Sequence, residues 1–408
     1  MNCRHCNAPL NHVLIDLGHQ PASNAYLTSA MLERSEVYAP LKTFVCDACW
    51  LVQLPSFHRS DELFTPDYAY FSSVSPGWVD HARRYVEKMI ERFDLTKKDW
   101  VVEIASNDGY LLQFVANAGI PCTGIEPTAS TAAAARMRGI ESVERFFGVE
   151  LARELVATRG HASLTVANNV LAHVPDINDF AEGFSILLAP EGVATFEFPH
   201  LVNLIDQCQF DTIYHEHYSY LSLTAVSKIF AAKGMRIFDV EKIPTHGGSL
   251  RVYLCLDTAM THPELPAVAT LLAEEESEGV TTPEYYKSLA IRAEKIKLDL
   301  LEFLVDQKKA GKSVAAYGAA AKGNTLLNFA GVHADLVGFV CDAAPSKQGQ
   351  YLPGSHIPIL APDALYESRP DFVLILPWNI REEIVSQHGA VREWGGHFAV
   401  AVPELQIF

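Results

Sequence analysis

The sequence predicts an α/β protein of three units: a small cysteine-bearing N-terminal module, a central Rossmann-like, largely parallel sheet, and a smaller Rossmann-like α/β domain at the C-terminus. Three observations predict this. Cys3-x-x-Cys6 and Cys46-x-x-Cys49 mark the first unit. From Trp100 to Leu256, short apolar runs alternate with helix-patterned segments, as β/α units around a parallel sheet do. After a long helical segment the same alternation returns between Ser313 and Leu376. The units are read as residues 1–75, 76–257 and 258–408.

Bulk properties bound the function. The 408 residues are 49% hydrophobic and 20% charged, as expected of a folded chain with more than one core. A net charge of −17 disfavours a nucleic-acid surface, which needs a basic face to displace counterions, but leaves room for one small phosphate pocket. No basic start followed by an apolar stretch is visible at the N-terminus, and no apolar run approaches the roughly 20 residues that span a bilayer. A cytoplasmic location without membrane contact is expected. Cys122, Cys208, Cys255 and Cys341 stand singly in apolar surroundings and read as buried thiols.

In the first unit, two tight C-x-x-C knuckles can present four thiolates to one Zn2+. Four thiolates close its tetrahedral shell, so Cys3, Cys6, Cys46 and Cys49 predict a structural site with no position open for substrate. The following stretch, Asp67-Tyr-Ala-Tyr-Phe-Ser-Ser73, is aromatic and rich in hydroxyls. Tyr68 or Tyr70 could form a hydrogen-bonding wall of a substrate pocket, or the stretch is a packed linker.

A helix is expected from about Trp78 to Phe93. The buried strand Trp100–Ile104 then enters the turn Ala105-Ser-Asn-Asp-Gly109 and a helix, a geometry that brings backbone N–H groups to a ligand. A second strand from Cys122 ends at Glu126, placed to accept hydrogen bonds from ribose hydroxyls. A dinucleotide fingerprint would need G-x-G-x-x-G here, and A-S-N-D-G lacks the glycines. The acidic Glu103 disfavours phosphate and favours a ligand with a positive group. Adenosyl plus a cationic aminoacyl tail fits, which points to S-adenosylmethionine held by Glu103, Ala105, Asn107, Gly109, Glu126, Asn168 and Asn169. His173, Glu197 and His200 follow the next strands and are expected near the same strand ends. A hairpin near Met235–Leu256 is expected to give the sheet one antiparallel edge.

Residues 257–310 read as helical, with an apolar stripe of Leu289, Ala293, Ile296, Leu300 and Leu304. In the last unit, the Gly/Ala turn at 318–325 carries Lys322 and Asn324, and Lys347 follows the next strand. These suit a phosphate, or are an ordinary turn with solvated lysines.

The stretch Ile213–Ser222, I-Y-H-E-H-Y-S-Y-L-S, crowds Tyr214, His215, Glu216, His217, Tyr218 and Tyr220 together. A metalloprotease helix needs H-E-x-x-H, whereas H-E-H places its histidines on different faces. An acid/base role fits better, since histidine titrates near neutral pH.

Taken together, the four-cysteine module, Y-A-Y-F-S-S, E-I-A-S-N-D-G, N-N-V-L-A-H-V, I-Y-H-E-H-Y-S-Y-L-S, H-G-G-S-L-R and Y-G-A-A-A-K-G-N-T resemble the C-methyltransferases that act on nucleotide-linked keto-deoxysugars. The resemblance runs along the whole chain. It implies a class I S-adenosylmethionine-binding core, a nucleotide sugar held between that core and the C-terminal domain, and acid/base groups at His173, Tyr214, Glu216 and His217. The chemistry explains the need for them. A sulfonium methyl forms a carbon–carbon bond only with a carbanion, and a ketone at sugar carbon 4 acidifies the proton on carbon 3. A base then gives an enolate, whose oxygen Tyr214 or His173 could stabilise. The base is expected to be His217, supported by Glu216, with Tyr214 or His173 as competitors. Two other readings use the same parts: sugar O-methylation, and a non-enzymatic zinc-containing sensor of nucleotide sugars. Monomer and dimer are equally compatible with the sequence.

Overall fold

Val101–Ile104 is buried along its whole length, so both faces of this strand must be covered. In the computed structural model, which describes residues 1–57 and 71–408, it is an inner strand of a seven-stranded sheet, paired on both sides. Tyr68 and Tyr70 lie outside the described residues. The strand order is Met235–Ile243, Ser249–Leu256, Leu188–Pro199, Ala162–Asn168, Val101–Ile104, Cys122–Ile125, Ser142–Val143. Ser249–Leu256 is antiparallel to both neighbours, and the other adjacent pairs are parallel. The reversed strand therefore lies one place in from the edge, where the sequence suggested the edge itself. The hairpin's second strand inserts beside Leu188–Pro199, because it is buried along nearly its whole length and needs a partner on each side.

The helix Pro76–Arg92 covers one face. Ser75 caps it by accepting the Trp78 N–H, Pro76 starts it without wasting a donor, and Ala82, Tyr85, Val86 and Met89 form its buried stripe. Residues 257–310 form two helices, Pro266–Glu278 and Ser288–Lys309. The break falls at Gly279, whose φ of +94° ends the first helix in a left-handed turn that an interior helical residue cannot adopt.

The C-terminal unit is a six-stranded sheet ordered Ile359–Leu360, Val340–Cys341, Val314–Tyr317, Phe372–Ile375, His397–Val400, Gln406–Ile407, parallel except for its last strand. The N-terminal module is an antiparallel sheet of His12–Gln20, Ala39–Val45 and Val52–Gln53, completed by Ser219–Tyr220. Strand four thus comes from the histidine-rich stretch. The module has no isolated core. Leu14, Leu41, Val52 and Tyr220 pack in one cluster with Leu289, Leu300, Leu304 and Leu326, while Cys3, Cys46 and Leu51 join the core of the central sheet. It is wedged between both larger units, and this brings parts of all three to one cavity.

Candidate functional site

The turn after Ile104 has unusual backbone. Ala105 and Asn107 hold φ of +55° and +50°, and Gly109 follows at +76°. Left-handed non-glycine residues cost about 1–3 kcal/mol each and collect where backbone faces a ligand. Ala105 and Asn107 line a cavity of about 1070 Å3, and Glu126 joins them from the tip of the next strand. Glu126 Oε2 accepts the Asn107 N–H and Oε1 the Thr128 N–H, each at 2.9 Å. Asn168 and Asn169 continue the wall. Oδ1 of Asn168 and both side-chain amide atoms of Asn169 are buried without a hydrogen-bond partner among the described residues. Such groups are normally satisfied, so this wall could hold a polar ligand. Glu103 and Gly109 lie behind it. Glu103 is buried beneath the turn, its carboxyl pushed well up by burial and then by the charge of Glu126. Gly109 serves packing: a Cβ there would meet Ile140 at 3.2 Å.

His173, Tyr214, Glu216 and His217 line the same cavity. The His217 ring lies 4.0 Å from that of Tyr214 and 4.6 Å from that of His173, centroid to centroid. His217 Nδ1 is 2.8 Å from the Thr212 carbonyl oxygen. A carbonyl only accepts, so Nδ1 carries the hydrogen and Nε2 keeps its lone pair. Burial, then the neighbouring His173, hold His217 well below its ordinary value of 6.5, and burial brings His173 down to about 4. Both rings are neutral at neutral pH. Glu216, which the sequence set beside His217 as its support, has its Oε1 accepting from Asn24 Nδ2 at 2.7 Å. Adjacent residues of this non-helical stretch point apart, so the carboxylate turns to the N-terminal module while Thr212 orients the imidazole. Asn24 lies far away in sequence and in no motif, so sequence reasoning missed it.

The C-terminal unit supplies the opposite wall with Lys322 and Lys347. Lys322 Nζ donates to Asn379 Oδ1 at 2.7 Å and sits 4.5 Å over the Trp378 ring. Trp378 Nε1 in turn donates to the buried Asp211 at 2.8 Å. Lys347 donates to the Ala319 carbonyl at 2.9 Å, with Asp342 3.4 Å away. Asn324 does not line the cavity. Its Nδ2 donates to the Ser23 carbonyl at 2.6 Å and ties the helix Ala321–Ala330 to the N-terminal module. Glu197 and His200 also turn away, into buried pairs with Arg251 and Glu275. Trp78, Tyr110 and His246 add an aromatic side to the cavity; the sequence marked His246 only as part of H-G-G-S-L-R and gave it no role.

The cysteine cluster fits a metal. Cys3 and Cys49 sulfurs lie 3.5 Å apart, as do those of Cys6 and Cys46, and all four fall within 4.8 Å of one another. Tetrahedral Zn2+ with bonds near 2.3 Å puts sulfurs about 3.8 Å apart. Gln53 Nε2 donates to Cys3 Sγ at 3.2 Å, an outer contact that orients a thiolate ligand.

Three family models match along the chain. Residues 3–64 match one described as "Putative zinc binding domain", 78–240 a "Methyltransferase domain", and 244–403 a "C-methyltransferase C-terminal domain". The C-methyltransferase NovU of Streptomyces niveus is 36% identical over 405 residues, covering 99% of this chain and 96% of NovU. The chain belongs to the C-methyltransferase family. It is an S-adenosylmethionine-dependent C-methyltransferase with a four-cysteine zinc site. Among solved structures, a methyltransferase of Anabaena variabilis is similar over 50% of this chain and 99% of its own, at 12% identity and a TM-score of 0.38. Magnesium protoporphyrin IX methyltransferase of Synechocystis is similar over 44% and 83%, at 14% identity and a TM-score of 0.36. Among the described residues, no helix of this C-methyltransferase is long and apolar enough to cross a membrane.

Proposed function

We propose that this C-methyltransferase adds a methyl group to carbon 3 of a nucleotide-linked 4-keto-deoxysugar through an enolate. The observation that carries the reading is one cavity with three chemically distinct walls: the Ala105–Glu126 side, the His173–Tyr214–His217 centre, and the Lys322–Lys347 side. Carbon methylation requires a carbanion, and a keto-sugar is a substrate whose carbon 3 proton an imidazole can take. A diphosphate linked to a nucleoside matches the two lysines.

S-adenosylmethionine supplies the electrophilic methyl. In this reading Glu126 accepts from its ribose hydroxyls, and Asn168 and Asn169 pair with its polar edges. His217 takes the carbon 3 proton on Nε2, the nitrogen its contact with Thr212 leaves basic. Its neutral state at neutral pH keeps that lone pair available, and the enolate forming beside it offsets the cost of a buried imidazolium. Tyr214 or His173 donates to the enolate oxygen. Both walls hold their ligands in register, which makes the transfer effectively unimolecular.

The test is incubation in deuterium oxide with S-adenosylmethionine and a panel of 4-keto-6-deoxy nucleotide sugars, followed by mass analysis. The expected result is a product heavier by one methyl, and deuterium at carbon 3 of unreacted sugar when S-adenosylhomocysteine replaces the donor. A methylated product with no enzyme-dependent exchange at carbon 3 would rule out the enolate.

A further inference from the structure

The motif H-G-G-S-L-R has a part that neither the cofactor end nor the acid/base centre uses. His246 stands in it at φ +56°, ψ 26°, followed by Gly247 at φ +88° and Gly248 at φ +108°. The glycines are needed for space as well as backbone: a Cβ would come within 2.7 Å of Trp378 from Gly247, and within 2.3 Å of Asn203 from Gly248. The turn is pressed between the C-terminal wall and the end of the central sheet, and it sets His246 into the cavity lining. The imidazole stacks on Trp78, ring centroids 5.1 Å apart and planes 23° from parallel. Neither ring nitrogen has a hydrogen-bond partner among the described residues. A glycine would hold this backbone conformation without strain. A strained residue whose polar ring is fixed by stacking and left unbonded at a cavity wall is arranged for a ligand.

Trp378 shows which ligand group. Its indole carries the Lys322 ammonium 4.5 Å above the ring, and Gly247 packs against the edge of the same ring. Lys322 and His246 are thus presented to the cavity from one support. We propose that His246 is a substrate-binding residue which, beside Lys322, hydrogen-bonds the diphosphate of the nucleotide sugar. The proposal rests on the nucleotide-sugar reading above, but that reading does not require His246.

The charges around the ring give the proposal a pH signature. Lys322, His81 and Glu197 face His246, and His246 in turn lowers His217. Glu197 is already engaged by Arg251 and His81. Burial first, and Lys322 second, bring His246 down to about 4, so it is neutral at neutral pH. A diphosphate diester beside Lys322 offsets that repulsion and adds its own attraction, which raises His246. Binding then takes up a proton once pH falls below that raised value, and affinity grows from there down towards 4.

The experiment is calorimetric titration of the full chain, loaded with S-adenosylhomocysteine, with thymidine, uridine and guanosine diphosphoglucose. These keep the diphosphate diester, which does not titrate in this range, and have no ketone to react. Titrations at several pH values in two buffers of different ionisation enthalpy count protons. Wild type is expected to bind at least one of the three, more tightly at lower pH and with proton uptake. His246→Asn is expected to weaken binding about tenfold and to flatten the pH dependence. His246→Gly relieves the backbone strain, so it should melt no lower than wild type while showing the same loss, which separates binding from folding. If wild type binds one of these ligands but the variants match it in affinity or in pH dependence, the role of His246 is overturned and the nucleotide-sugar reading stands. If wild type binds none, both fall.

Discussion

Glu126→Gln separates two tasks assigned to one carboxylate: bracing the turn, and, in the reading proposed above, accepting from the cofactor's ribose. The two oxygens accept separate backbone N–H groups, from Asn107 and Thr128, each at 2.9 Å, at a residue only 4% exposed. Glutamine offers one oxygen. Whichever way its amide turns, its NH2 faces one of those donors and leaves a buried backbone N–H unpaired, at a cost of about 1–3 kcal/mol in folding free energy. Cofactor binding loses a second contribution, the charged acceptor for the ribose hydroxyls. That is worth about 1.5–3 kcal/mol, or roughly 10- to 150-fold in Kd. Thermal melting reads the first effect, and calorimetric titration with S-adenosylhomocysteine reads the second. A lower melting temperature with unchanged affinity would refute the ribose assignment and leave Glu126 as a brace for the turn. No change in either would refute both.

Purified protein should contain one zinc per chain by elemental analysis, and Cys46→Ser should lose both the metal and cooperative folding; a zinc-free protein that melts normally would count against the site. His217→Asn should keep S-adenosylhomocysteine binding but abolish carbon 3 exchange and methyl transfer, whereas exchange at the wild-type rate would move the base to Tyr214 or His173. Because His217 is held well below 6.5, its neutral form persists as pH falls, so the acid limb of kcat/KM for wild type should lie below 6.5; a limb above that value would contradict the free-enzyme assignment. Lys322→Met should weaken nucleotide diphosphoglucose binding roughly tenfold or more, the scale of a lost charged contact, with S-adenosylhomocysteine affinity unchanged as the control.

Features set by neighbouring residues were legible in the sequence. The spacing in Cys3-x-x-Cys6 and Cys46-x-x-Cys49 depends on a local turn, and Val101–Ile104 with its following turn depends on burial and backbone freedom. The reach of Lys322 to the cavity also follows from a strand–turn–helix unit. What escaped is what the chain brings together from afar. Asn24 meets Glu216, and Trp378 meets both Asp211 and Lys322, with no local periodicity to announce either contact. Asn324 shows the converse: its turn suggested a phosphate, but a carbonyl of the N-terminal module already occupies its amide. The seat of the reversed strand was equally hidden, since a hairpin pattern does not say which of its two strands takes the inner place.

The pairing of Val52–Gln53 with Ser219–Tyr220 has a consequence for how the protein is made. Val52–Gln53 leaves the ribosome long before the strand it pairs with, and the helix Ser288–Lys309 that packs on the same sheet is made later still. Until then its sheet has an open edge and its apolar face has no cover, the conditions under which nascent chains aggregate or pair wrongly. The four cysteines of the cluster, in contrast, all lie between Cys3 and Cys49 and emerge close together. Zinc captured at that stage would hold both knuckles in place through the delay, so metal supply during translation, rather than in the finished enzyme, would set the yield of soluble protein.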